Sequence, residues 1–203
     1  MRLKFLFKPR QPQLATGGDV KLRYLGPVDA NAFREHIHDL HFEDFRDRFN
    51  GRVSDEWLDR YIARSLNEAI VVGAFDDDHL VGVAELHTGG QIEPGEGESA
   101  FSVASDWRHK GVGTILIKAL LRAASENDVA TILVETGAQN HAMKALAQRF
   151  GARMSFAGDQ SIGRIDVAHG LSLAARMPEK RSFPTPPGGG RGRPGSGNAE
   201  VRN

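Results

Sequence analysis

The residues best suited to chemistry in this sequence form a basic loop that contains two glycines. Arg108, His109 and Lys110 stand directly before Gly111, and Gly113 follows two residues later. Glycine lets the backbone approach a ligand closely, and the free amides at the start of a helix attract anions. An apolar strand pattern precedes the loop and a helical pattern follows it. The loop is therefore predicted to hold a phosphate group.

Two common phosphate-binding motifs fit this loop poorly. A Walker loop places its lysine directly after the last glycine, whereas Lys110 precedes Gly111. A dinucleotide fingerprint requires a third glycine where Leu116 stands, although Glu135 lies at a suitable distance to bind a ribose. The Walker motif is excluded, and the dinucleotide motif is kept as an alternative that the antiparallel strands expected upstream disfavour.

Composition limits the classes of function. Basic and acidic residues number 26 each, and the chain contains no cysteine. A balanced charge provides no overall attraction to nucleic acid or to an anionic membrane, and a cysteine nucleophile and disulfides are excluded. We expect no nucleic-acid partner and no membrane association. Since no apolar run has the length of a signal peptide or a membrane span, we expect a cytoplasmic location.

Three histidines near the N-terminus raise the question of a metal. His36, His38 and His41 are separated by two and three residues, which is not the spacing of a helical chelate, and no cysteine completes a ligand set. We therefore expect no metal site.

Apolar periodicity predicts the elements of the first half of the chain. The pattern gives a strand, two helices and then two strands joined by a hairpin turn: residues 20–25, 30–50, 54–66, 70–75 and 80–86. The helix at 30–50 carries one apolar stripe that includes Phe33. Trp57 and Tyr61 share a face of the next helix, and helical spacing favours core packing over an acceptor pocket for all three aromatic residues.

The second half of the chain predicts a crossover connection. A strand at 98–104, a helix at 113–127 and a strand at 131–135 follow one another, and this order implies a parallel strand pair. Asn140 is a suitable N-cap for a last helix that Gly151 ends, and a closing hairpin is expected at 153–157 and 164–168. The expected fold class is α/β, with a mixed sheet and helices on both faces.

Composition also divides the chain into three parts. The polar residues 1–19 are predicted to be a flexible leader, and residues 20–177 are predicted to be the one folded domain. Proline, glycine and arginine dominate residues 178–203, which are predicted to be a disordered tail.

The loop and its surroundings resemble the GNAT superfamily of N-acetyltransferases. Arg108-x-x-Gly111-x-Gly113 matches the family's acyl-CoA-binding pattern, Trp107 precedes it, and residues 140–151 are similar to the second motif, with Ala152 in place of an aromatic residue. The resemblance covers about residues 20–175. Segments 54–61 and 98–107 are closest in appearance to the catalytic domains of bacterial protein lysine acetyltransferases.

The resemblance implies a fold, a donor and a set of binding residues. The fold would be a mostly antiparallel twisted sheet with one parallel pair splayed around the acyl-CoA site, and acetyl-CoA would be the acyl donor. Backbone groups of the strand would contact the pantetheine arm, the loop amides would hold the pyrophosphate, and a residue beyond the next strand would contact the cofactor. These residues are Val103, Ala104, Ser105, Arg108, His109, Lys110, Gly111, Val112, Gly113, Thr114 and Asn140.

The resemblance also implies a reaction, in which a primary amine on a protein lysine or a small molecule attacks the thioester directly in a ternary complex. Glu98 lies where similar enzymes present a catalytic glutamate, and an amine with a pKa near 10.4 benefits from such a base. The general acid is unassigned. His141 is a conceivable candidate, but an exposed residue in the first turn of a helix is the favoured interpretation. A CoA-binding module without catalysis is the alternative function, and a homodimer is left open.

Overall fold

An eight-stranded sheet runs through the part of the chain that the computed structural model describes, residues 14–17, 20–49, 51–158 and 160–177. Its strands are β1 (Leu14–Gly17), β2 (Val20–Tyr24), β3 (Ile70–Asp76), β4 (His79–His87), β5 (Glu96–Val103), β6 (Thr131–Gly137), β7 (Arg153–Ala157) and β8 (Gln160–Asp166). The spatial order is β1-β2-β3-β4-β5-β6-β8-β7, and every pair is antiparallel except β5 with β6. The predicted mixed, mostly antiparallel fold with one parallel pair is confirmed.

Within the described residues, six α-helices cover the two faces of this sheet. They are α1 (Ala30–His38), α2 (Phe42–Phe49), α3 (Asp55–Glu68), α4 (Val112–Glu126), α5 (His141–Arg149) and α6 (Val167–Arg176). Successive strand residues point to opposite faces, so Val72 and Ala84 join the core beneath α4, while Val71 and Val83 join a second core beneath α1 and α3.

Helix α4 is the central element of the larger core. Leu116, Ile117, Leu120 and Leu121 are all fully buried, because the helix carries apolar residues around most of its circumference. Gly82 of β4 makes this packing close, since a Cβ there would lie 2.9 Å from Val112 Cγ1. The start of α4 is thereby fixed against the sheet.

The single helix predicted over 30–50 was wrong, because the chain turns between α1 and α2. The amide of Asp39 bonds to Glu35 O, and that of Leu40 bonds to Ile37 O at 3.3 Å, so the helix tightens and ends there. Leu40 stays buried at the turn. The turn directs α2 across the sheet towards β5 and β6, which a continued straight helix would not reach.

The C-terminal end and the predicted leader also contain elements that the sequence analysis missed. Strand β8 ends at Asp166, whose carboxylate accepts from the His169 amide at 2.8 Å and caps α6 in place of the predicted strand end at 168. Residues 14–17, within the predicted leader, form β1. The remainder of the leader, apart from these residues, and the tail at 178–203 lie outside the described residues, so the domain boundaries stay a prediction.

Within the described ranges, no helix combines the length and the apolar character that crossing a membrane requires.

Two phenylalanines give a matched test of the core. Phe150, at the end of α5, is 0% exposed, whereas Phe156 on β7 is 72% exposed. Phe150→Ala is expected to lower the free energy of unfolding by about 3–5 kcal/mol, because a large cavity replaces the ring. Phe156→Ala should change it by less than about 1 kcal/mol. Urea denaturation followed by circular dichroism measures both, and equal losses would contradict this packing.

Candidate functional site

The site is a cleft that opens where β5 and β6 separate. The parallel ladder pairs Glu96–Ser99 with Thr131–Val134 and goes no further. Strand β5 continues to Val103 beside β4, and β6 continues to Gly137 beside β8. The β6-facing side of β5 beyond Ser99 therefore borders an open cleft of about 2170 Å³, where its backbone can pair with an extended ligand.

The glycine loop lies at the end of this opening. His109 and Gly111 have φ angles of 58° and 95°, and Gly111 is the N-cap of α4. A Cβ on Gly113 would lie 3.0 Å from Leu146 Cδ2 of α5, so glycine allows the two helices to approach. The backbone amides at the start of α4 are thus presented to the cleft, in the arrangement that binds anions.

The basic side chains of the loop have partners on the protein. Arg108 forms an ion pair with Asp44 of α2, and Lys110 Nζ lies 5.1 Å from the centre of the Trp107 ring. Arg108 therefore links the loop to the opposite wall of the cleft while remaining beside the helix amides.

The structure brings most of the predicted site residues to the cleft. Eight of them line it: Glu98, Val103, Arg108, His109, Gly111, Gly113, Thr114 and Asn140. Asn140 also caps α5, because its side-chain oxygen accepts from the Met143 amide at 3.0 Å. His141 lines the cleft as the exposed first residue of that helix.

The other four predicted cofactor-binding residues lie around this lining. Val112 is fully buried in the core, so only its backbone can face a ligand. The Ala104 amide donates to Val81 O at 2.9 Å, and the Ser105 carbonyl accepts from the Arg108 amide at 3.2 Å. These groups, with Lys110, support the turn into the loop, and their contact with a cofactor stays a prediction.

Glu98, the predicted base, is exposed on β5 and lines the cleft. It lies directly opposite His87 of β4 in the antiparallel ladder. Facing residues of such a pair extend from the same face of a sheet. The neighbouring Ser99 hydroxyl donates to Leu133 O at 2.8 Å and fixes the strand where the opening starts.

A buried carboxylate that the sequence analysis missed lies beneath this position. Glu85 of β4 is 1% exposed; it forms an ion pair with Arg48 and accepts from Tyr61 Oη and Ser65 Oγ, each at 2.7 Å. Burial opposes ionisation, but the charge of Arg48, together with His87 and Ser65, holds the pKa of Glu85 at about 2. Glu85 interrupts the apolar run over residues 80–86, and this could have signalled a buried charge.

Aromatic side chains form the wall above Glu85. Trp57 and Tyr61 stack with ring centres 5.3 Å apart, and Phe49 meets both rings edge-on. Trp57 is 38% exposed, and both it and Tyr61 line the cleft, whereas Phe33 is buried in the core. The core-packing prediction thus held for Phe33 and for Tyr61, which packs against the second core while lining the cleft, but not for the exposed Trp57.

Of the three histidines near the N-terminus, His36 serves the packing, whereas His38 and His41 are exposed. His36 is buried, with Nδ1 3.0 Å from Leu80 O and Nε2 2.9 Å from Ser102 Oγ. Burial lowers the pKa of His36 to about 4, so the ring is neutral. Among the described residues, no group of three histidine, aspartate or glutamate side chains is placed to hold a metal ion.

A mixed sheet that opens towards the amides at the start of a helix has the geometry of a binding site for an anionic ligand. The model of the Acetyltransferase (GNAT) family matches residues 34–152, more than half of the chain. The chain therefore belongs to the GNAT acetyltransferase family, as the motif predicted.

Solved structures show the same fold at low sequence identity. The GNAT domain of PAT from S. lividans is 17% identical with a TM-score of 0.67, covering 79% of this chain and 99% of that one. The yncA protein of Salmonella typhimurium, solved with its cofactor acetyl-CoA, is 18% identical with a TM-score of 0.61 and coverages of 74% and 95%. The PaiA N-acetyltransferase of Thermoplasma acidophilum, in complex with coenzyme A, is 18% identical with a TM-score of 0.56 and coverages of 72% and 98%.

The ion pair of Glu85 makes stability depend on pH. Glu85→Gln is expected to lower the free energy of unfolding at pH 7 by about 3–5 kcal/mol, because Arg48 is left buried without its counter-charge. The pKa of Glu85 is lowered from 4.5 to about 2, so the contribution is complete above pH 4.5 and is lost as the pH falls towards 2. The difference in the free energy of unfolding between the variant and the wild type should therefore become smaller as the pH falls from 4.5 towards 2.

Urea denaturation at several pH values measures this difference. Glu93→Gln, which removes an exposed loop carboxylate, is the control and should match the wild type. A difference for Glu85→Gln that stays constant down to pH 2 would contradict the ionised state of the buried carboxylate.

Proposed function

We propose that this protein transfers an acetyl group from acetyl-CoA to a primary amine. The observation that carries the proposal is the separation of β5 from β6 beyond Ser99 and Val134, which opens towards the amides that begin α4. Acyl-CoA requires two features of its site. Its pantetheine amides can pair with an open strand edge, and its pyrophosphate can bind the amides at the start of a helix. Family membership and the CoA complexes of structural neighbours support the same donor.

The donor half of the cleft provides the binding groups. The strand edge that ends at Val103 would pair with the pantetheine amides, and the loop from His109 to Thr114 would hold the pyrophosphate. Arg108 and Asn140, which also line this region, would add donors beside it. An open backbone edge and loop glycines are the features that such a ligand needs for close backbone contact.

The acceptor half lies on the face covered by α1, α2 and α3. An incoming amine meets the aromatic pair Trp57 and Tyr61 on one side and the carboxylate of Glu98 on the other. Acidic groups attract a cationic amine, and aromatic faces stabilise it. The substrate is a protein lysine side chain or the amine of a small molecule.

Glu98 is the proposed base. An ammonium must lose a proton before its nitrogen can attack, and an exposed carboxylate on the cleft wall can accept that proton directly or through a water. The chain contains no cysteine, so the amine attacks the thioester in a ternary complex and no cysteinyl intermediate forms.

Donor binding depends on the left-handed conformation of Gly111. Gly111→Ala is expected to weaken acetyl-CoA binding by about tenfold, because a Cβ at φ 95° strains the loop that presents the amides. Gly95→Ala places the same strain at φ 80°, outside the cleft lining, and should bind within twofold of the wild type. Titration calorimetry measures both, and absence of acetyl-CoA binding by the wild type would overturn the proposal.

Glu98→Gln separates catalysis from binding. Turnover should fall by about 10²–10⁴-fold, since the amide cannot accept a proton, while the acetyl-CoA affinity is retained. Glu93→Gln is again the control. Acceptors come from a screen of amines, peptides and whole-cell protein with labelled acetyl-CoA. A wild type that binds acetyl-CoA and acetylates nothing in this screen would support the binding-module alternative.

A further inference from the structure

We propose that His87 is a second catalytic residue, which receives the proton that the attacking nitrogen sheds, and that the buried Glu85 positions it. This inference rests on the proposed acetyl transfer and concerns the same cleft. It starts from a hydrogen-bonded pair on β4 that no step described above uses.

The pair has defined hydrogen-bonding roles. His87 Nε2 lies 3.2 Å from Glu85 Oε2, and the same carboxylate is held by Arg48, Tyr61 and Ser65. An ionised carboxylate can only accept, so the hydrogen of the neutral imidazole belongs on Nε2. Nδ1 then carries a lone pair, which is the division of roles in a carboxylate–histidine dyad.

The position of His87 suits proton transfer in the cleft. Its side chain is 26% exposed, and the residue lines the cleft. Glu98, the residue directly opposite on β5, shares its face of the sheet. The imidazole therefore lies between a buried anion and the space in which an amine would approach Glu98.

The charged and titratable groups around His87 come from four elements. Glu85 precedes it on β4, and Glu98 faces it from β5. Arg48 of α2 is paired with Glu85, and the Tyr61 ring of α3 has its centre 6.5 Å from the imidazole. Arg64 and Glu68 of α3 also line the cleft, so the imidazole has Glu85 as its hydrogen-bond partner and Glu98 on the facing strand, and Arg48 is already paired with Glu85.

The cost of burying this network favours a role beyond packing. A buried ion pair contributes little net stability, because desolvation offsets the attraction, and apolar side chains of similar size stabilise a core as well. Here an ion pair and two hydroxyl donors meet on one carboxylate, and the remaining hydrogen bond goes to a histidine on the cleft wall. Fixing the orientation of that ring is the function that such an arrangement serves.

The proposed step balances in atoms and charge. Glu98 takes one proton from the ammonium, and the free amine attacks the thioester carbon. As the N–C bond forms, the nitrogen gives its second proton to His87 Nδ1. The C–S bond breaks, its electron pair leaves on sulfur, and the thiolate takes a proton from water. His87 and Glu98 each return their proton to water at the open edge of the cleft, so one proton is released per turnover, and Glu85 stays ionised throughout.

Kinetics of a His87→Gln variant test the proposal. Glutamine can still hydrogen-bond to Glu85 but cannot take up a proton, so kcat should fall by about 10²-fold or more, while the KM for acetyl-CoA and its calorimetric affinity stay within twofold. His79→Gln, at the exposed first residue of β4, is the matched control. A His87→Gln variant with wild-type kcat would overturn the proposal and leave acetyl transfer itself intact.

A spectroscopic test is independent of turnover. In protein labelled with ¹⁵N-histidine, nuclear magnetic resonance should show neutral His87 as the Nε2–H tautomer, and Glu85→Gln should weaken this preference. If Glu85→Gln does not fold, the His87 signal is identified by its absence from the spectrum of His87→Gln. The tautomer of His87 in the wild type then tests the dyad without the Glu85 variant. A dominant Nδ1–H tautomer would overturn the dyad. A wild type that acetylates no amine would instead overturn the proposed function, and His87 catalysis with it.

Discussion

The site depends on the separation of two parallel strands, β5 and β6. β5 and β6 pair over only four residues each, because β4 holds β5 on one side and β8 holds β6 on the other. Each strand keeps an antiparallel partner, so the sheet can open without leaving either strand alone. Helix α4, buried along most of its length, fills the space behind the opening and presents its N-terminal amides there.

The wall of the cleft opposite the glycine loop is organised by a buried carboxylate, at a position where a core residue would ordinarily be apolar. Glu85 draws α2 and α3 to β4 through Arg48, Tyr61 and Ser65. The ion pair of Arg108 with Asp44 connects the same α2 to the donor loop. Helix α2 therefore contacts both halves of the cleft, which makes the turn that separates it from α1 a structural requirement of the site.

Local patterns in the chain predicted the elements well wherever one periodicity dominated. Helix α3 begins after Ser54, whose hydroxyl accepts from the Trp57 amide as an N-cap does, and the hairpin of β3 and β4 follows from its alternating apolar residues. The turn at Asp39 and the cap at Asp166 were missed. In both places the apolar spacing of the sequence continues past the end of the element. The packing that ends the element there involves residues distant in sequence.

The sequence by itself determined the glycine-loop end of the cleft. Gly111 acts through its left-handed backbone at the N-cap of α4, and Asn140 caps α5, so neighbouring residues suffice to recognise both. The wall of the cleft built around Glu85 was decided only by the tertiary structure. Glu85 meets Arg48 and Tyr61 across 37 and 24 residues of sequence, and side-chain pairs that distant carry no local periodicity from which their meeting could be read.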